Sequence, residues 1–124
     1  MAATSDCETT LQDVKDLIAE FTAARDWQQF HCPKNVAMAL ASEAAELMAH
    51  FRWSAAGEDA AVLADPQSLR EVRLEVADVL VLLAEFANVA GIDMADAVRE
   101  KMKINEDRYS VEKSRGTARK YDRL

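Results

Sequence analysis

Glu43-x-x-Glu46 and Glu75-x-x-Asp78 place four carboxylates inside the two most apolar stretches of this chain, with 28 residues between the pairs. The first stretch, Asn35 to Phe51, holds no other acid, and the second, Val72 to Ala90, adds only Glu85. A step of three on a helix sets both members of a pair on one face, about 60° apart. A helix that is apolar nearly all round is expected to be buried on most sides, so its carboxylates should point into a bundle rather than into water. Four negative charges gathered there are unstable without cations. Oxygen ligands alone favour a hard divalent ion, so magnesium is the expected cofactor, with manganese as a substitute.

Two further constellations bear chemistry. Lys101, Asn105 and Arg108 are spaced i, i+4, i+7 and share one helix face. Such a face is often merely solvated, but two cations and an amide can also grip phosphate oxygens, and Arg119 and Lys120 can add to the grip. The aromatic set is small, eight Phe, Trp and Tyr residues in all, and Trp27, Phe30, Phe51 and Trp53 flank the ends of the second helix with His31 beside them. The two Phe residues are expected in the core. Trp27, His31 and Trp53 lie at loop edges, where a flat ring can stack on a nucleobase. His31 is a poor candidate for a metal ligand, since its sequence neighbours bring no carboxylate and the expected metal prefers oxygen.

Four helices must position these groups. Leu11, Val14, Leu17, Ile18 and Phe21 give the first its period, from about Thr9 to Asp26. A loop leads to Pro33, which suits the first turn of a second helix running to about Trp53. Ser54 to Ala64 reads as a polar loop. Asp65-Pro66 signals the start of a third helix, which Gly91 ends near Ala90; Asp93 then caps a fourth, Met94 to about Tyr109. Residues 110–124 read as a basic tail that is free to be mobile. No repeat of fixed period stands out.

At 124 residues the chain is expected to form one domain, small enough to gain from oligomerisation. Half of it is hydrophobic and it has only three Gly and two Pro, which favours an all-α fold. The four acids interrupt every run long enough to span a membrane, so no membrane partner is expected. No basic segment followed by an apolar one marks a secretion signal at the N-terminus. Cys7 and Cys32 form no C-x-x-C motif, and a reduced, cytoplasmic chain is expected. The net charge of −7 is uneven: residues 99–124 carry nine Lys/Arg and five Asp/Glu, hence +4, leaving −11 for the rest. That balance argues against a nucleic-acid polymer as partner and suits a small polyanion held between metal-bearing acids and bases.

These residues together resemble the all-α nucleotide pyrophosphohydrolases of the MazG-like superfamily, and most nearly its dCTP pyrophosphatase branch. The resemblance rests on the two acid pairs, on Lys101-x-x-x-Asn105-x-x-Arg108-Tyr109, on Arg25-Asp-Trp-Gln-Gln-Phe-His31 with Pro33-Lys-Asn35, and on Arg119-Lys-Tyr121. It extends from about Leu11 to Leu124. One departure is Leu82, where animal members carry a tyrosine one turn after the last acid. The resemblance implies a four-helix bundle assembled as a dimer of dimers, a homotetramer with sites between subunits. It implies magnesium-dependent cleavage of dCTP and modified forms such as 5-methyl-dCTP to a monophosphate and pyrophosphate, a house-cleaning reaction. Glu43, Glu46, Glu75 and Asp78 would be metal ligands and catalytic groups. Lys101, Asn105, Arg108 and Tyr109 would hold the phosphate end, and Trp27, His31, Asn35 and Trp53 the base and sugar.

Other readings compete. A relative could act on dUTP or broadly on nucleoside triphosphates. A ferritin-type di-iron bundle needs Glu-x-x-His, and His50 stands four residues after Glu46, the wrong step. A non-enzymatic helical module leaves the acids in apolar helices unexplained.

Overall fold

Local capping chemistry sets the helix ends. Thr10 opens α1 (Leu11–Ala23) with a capping box: its hydroxyl accepts from the Asp13 amide, and the Asp13 carboxylate accepts from the Thr10 amide. The helix is therefore shorter than its apolar period suggested, and Asp26, at φ 53°, turns the chain out of it in the left-handed region. A short 3-10 turn, Gln28–Phe30, leads to Pro33, the first residue of α2 (Pro33–Ala49). The amide of Asn35 donates to the Phe30 carbonyl at 3.0 Å and ties the two together. α2 ends at Ala49, not near Trp53, because residues 48–54 tighten into i→i+3 turns, with Phe51 N–H on Met48 and Ser54 N–H on Phe51.

The expected polar loop contains a helix, α3 (Asp59–Ala64), which packs on α4 (Pro66–Ala90). Its sequence, three Ala and one Leu in six residues, has high helix propensity, but six residues are too few to show a period. Asp65 caps α4, accepting from the amide and hydroxyl of Ser68. Gly91 closes it in the left-handed region at φ 66°, with Ile92 N–H on the Ala87 carbonyl and Gly91 N–H on Asn88.

The computed structural model describes residues 5–124; part of the N-terminal stretch read for a secretion signal lies outside them. Among the described residues there is no strand, so the fold is all-α. No described helix is long and apolar enough to cross a membrane. The chain divides into two compact units, residues 1–92 and 93–124. In the first, α2 packs along α4 and α1 packs on α4. Asn88 donates to the Lys15 carbonyl at 3.0 Å, and the Lys15 ammonium donates to the Ile92 carbonyl at 3.0 Å. The core is small: Ile18, Val36, Val72, Ala84 and Ala87, with Thr22 and Glu85 also buried. The expectation that the second and third predicted helices are buried on most sides fails for the single chain. Met38 and Met48 are 65% and 63% exposed, and Leu74, Val76 and Leu83 are also open.

In the second unit, Asp93 caps α5 (Met94–Arg108) by accepting from the Asp96 amide. The expected featureless tail instead holds α6 (Val111–Ser114) and a 3-10 turn, Tyr121–Arg123. Tyr121 meets Tyr109 edge-on at 6.0 Å between ring centroids, which gives the tail a contact to fold against.

Candidate functional site

α2 and α4 run antiparallel, as three pairs of neighbours show. His31, just before α2, meets Glu85; Glu43 meets Glu75 and Asp78; His50 at the far end approaches Glu75. This register brings one carboxylate oxygen each from Glu43, Glu75 and Asp78 within 4.8 Å of one another. Glu43 and Glu75 are half-buried and Asp78 is exposed. Partial burial raises the Glu43 carboxyl above its usual range, and the charges of Asp78, Glu75 and Glu46 add to the rise. The second oxygen of Glu75 is buried with no hydrogen-bond partner. An unsatisfied buried carboxylate oxygen beside two other carboxylates is what a hard cation corrects, so the donor set fits a divalent metal.

Glu46 does not join this group. It is exposed and lines a neighbouring groove of about 380 Å³ with Ala49, His50, Glu71, Leu74 and Glu75. A second groove of about 460 Å³ shares Ala49 and His50 and includes Trp53, Glu58 and Val62. His50 was missed as a site neighbour. Its Nε2 lies 3.9 Å from Glu75, a contact between helices that spacing along one helix cannot reveal.

The aromatic set splits in two within one chain. Trp27 lies 6.1 Å from His31 and meets Phe21 edge-on at 5.8 Å, all near the start of α2. Trp53 sits beyond the other end of α2, 84% exposed, with the Arg52 guanidinium 5.0 Å from its ring centroid. Seventeen helical residues, about 25 Å, separate these ends. Trp27 and His31, expected to pack around the base with Trp53, lie at the opposite end of α2 from it within one copy. Asn35 is occupied by the Phe30 carbonyl. Reading the sequence also missed the partner of His31: its Nδ1 lies 2.8 Å from Oε1 of Glu85, 54 residues away.

In the second unit, Lys101 and Arg108 are exposed and neither forms an ion pair among the described residues. Asn105 is half-buried, and the Arg108 guanidinium lies 4.7 Å from the Tyr121 ring centroid. Tyr109 caps the end of α5.

Residues 38–124 match the MazG-like family. dCTP pyrophosphatase 1 of Rattus norvegicus is 41% identical over 117 residues, which span 94% of this chain and 69% of the rat protein. Its Homo sapiens counterpart is 40% identical over the same length, with the same coverage of both chains. Among solved structures, a pyrophosphatase from Archaeoglobus fulgidus is similar with a TM-score of 0.76 at 33% identity, covering 89% of this chain and 98% of its own. The resemblance read from the acid pairs and their flanking motifs is thus matched over most of the chain, and the protein belongs to the MazG-like family.

Proposed function

We propose that this protein is a magnesium-dependent nucleoside triphosphate pyrophosphohydrolase that cleaves dCTP, and modified forms such as 5-methyl-dCTP, to the monophosphate and pyrophosphate. The observation that carries the reading is the convergence of Glu43, Glu75 and Asp78, together with the second oxygen of Glu75, which is buried without a hydrogen-bond partner. The relatives named for dCTP hydrolysis support the substrate.

In this reading Glu43, Glu75 and Asp78 hold the metal. When bound, the divalent ion neutralises phosphate charge and eases the ionisation of water at neutral pH. Glu46 is one turn from Glu43, exposed and outside the three-carboxylate group, and it accepts the proton of the attacking water as general base. Lys101, Asn105 and Arg108 bind the phosphate chain, and Arg108 is held in place by the Tyr109–Tyr121 pair. Trp27 and His31 pack on the base.

The active assembly is a homotetramer, a dimer of four-helix-bundle dimers working in the cytoplasm. Two observations support it: the large apolar side chains left open on α2 and α4, and a Trp53 too far from Trp27 to share a base pocket unless a second copy supplies it. The biological role is removal of non-standard or surplus deoxynucleotides.

The test is magnesium-dependent pyrophosphate release from dCTP, 5-methyl-dCTP, dUTP, dTTP, dATP and CTP. Selective turnover of the deoxycytidine nucleotides, absent in Glu46→Gln, is the expected result. Turnover of another nucleotide alone removes the substrate assignment and points to Leu82 as the first residue to change.

A further inference from the structure

Glu85 is the one buried acid in the described core, 5% exposed on α4, and the metal chemistry has no use for it. A buried carboxylate is costly unless it is paired and hydrogen-bonded. Its partner here is His31, whose Nδ1 lies 2.8 Å from Glu85 Oε1 and whose side chain is 25% exposed. With the carboxylate oxygen as acceptor, the Nδ1–H of His31 donates to it. In the neutral ring, a proton fixed on Nδ1 leaves Nε2 with a bare lone pair. His31 has no second partner among the described residues, and Trp27 stands 6.1 Å from its ring.

The position of the pair along α4 gives this acceptor a use. Glu75, Asp78, Leu82 and Glu85 follow steps of three, four and three, so they form one stripe on the helix. Glu85 lies two turns beyond Asp78, about 10 Å along the axis. A nucleotide whose phosphates sit at the Glu75–Asp78 end has its base within reach of the His31–Glu85 end. Cytosine carries an amino group where uracil and thymine carry a carbonyl, so an acceptor at this place favours cytosine.

We propose that Glu85 is a positioning residue for base selection: it fixes the His31 tautomer so that Nε2 accepts a hydrogen bond from the exocyclic amino group of a cytosine nucleotide. This rests on the nucleotide hydrolase reading above, and the test separates the two. Nitrogen-15 NMR of the histidine rings at mildly alkaline pH, in full-length protein without nucleotide, is expected to show His31 protonated on Nδ1 and bare on Nε2. Glu85→Leu removes the acceptor and keeps an apolar fill. It is expected to shift His31 toward the Nε2–H form and to lower the dCTP-to-dUTP ratio of kcat/KM about tenfold, mostly through KM, the loss of about one hydrogen bond. Glu85→Gln keeps the shape and an acceptor oxygen and is expected to restore most of that ratio, which guards against a mere packing defect in the leucine variant.

A wild-type His31 protonated on Nε2, or a folded Glu85→Leu protein with unchanged selectivity, overturns the inference. A wild type that hydrolyses dCTP and dUTP equally well also overturns it, yet leaves the hydrolase reading standing. A wild type that hydrolyses no nucleoside triphosphate overturns both.

Discussion

Midway along the α2–α4 pair, Glu43, Glu75 and Asp78 crowd together with no ion pair to Lys or Arg among the described residues; toward the start of α2, Glu85 is buried against His31 at 2.8 Å. Both places hold carboxylates in partly or fully buried positions, but they resolve the charge differently. At the His31–Glu85 end the buried carboxylate has a hydrogen-bond partner within the chain. The acid end leaves a buried Glu75 oxygen unpartnered, and burial, then the charges of Asp78, Glu75 and Glu46, raise the Glu43 carboxyl, so its charge is balanced only from outside. A cation should therefore change one end and leave the other alone.

The largest effect is expected from Glu75→Gln. Removing a group that helps stabilise transition-state charge should cut turnover by at least about a hundredfold. The same change relieves repulsion, so the cation-free protein should not lose stability. Wild type should gain about 2.7 kcal/mol when magnesium stands at 100 times its Kd, seen as a rise in Tm, and the variant should lose that rise. An equal magnesium shift in both proteins would remove the distinction between the ends.

Next comes His31→Ala, which strands the buried Glu85 oxygen. It should destabilise by about 1–3 kcal/mol in urea titration, equally with and without magnesium. Thr10→Ala, away from both ends, should cost about 1 kcal/mol through loss of the α1 cap, again with no dependence on the cation.

The smallest effect is one of pH. The folded Glu43 pKa is raised, by burial first and then by Asp78, Glu75 and Glu46. The unfolded chain thus releases this proton at lower pH than the folded one, and stability falls as pH rises from the ordinary glutamate range through the raised value. In cation-free protein, wild type should lose Tm relative to Glu43→Gln across that window. Magnesium should shrink the difference. Asp13 and Asp65 act in the opposite sense. Their carboxyls are lowered by hydrogen bonds, chiefly from the Thr10 and Ser68 backbone amides, so their contribution is present above the unfolded pKa and lost as pH falls through the folded one. Comparison with Glu43→Gln cancels it.

What could be read from the sequence was local. Pro33, Asp65-Pro66, Gly91 and Asp93 mark helix ends because capping and φ preferences act within a few residues, and the structure starts or ends α2, α4 and α5 at these signals. The i, i+3 acids were visible for the same reason. Features that depend on register between helices were not. Pairing Glu43, rather than Glu46, with Glu75 and Asp78 is set by how α2 lies on α4, and so are the approach of His50 and the contact between His31 and Glu85. Trp27 and Trp53 were read as flanking the two ends of one helix and as both packing on the base, and the 17 residues of that helix, about 25 Å, lie between the two ends. α3 escaped notice because six residues cannot show a period.

The most direct measurement is phosphorus NMR of dCTP turned over by the full-length protein, with and without magnesium. The account predicts pyrophosphate and dCMP as the only products, formed only with magnesium and absent in Glu75→Gln. Inorganic phosphate with dCDP, or pyrophosphate formed equally by the variant, would contradict the assignment of this acid cluster as the centre that cleaves between the α and β phosphates.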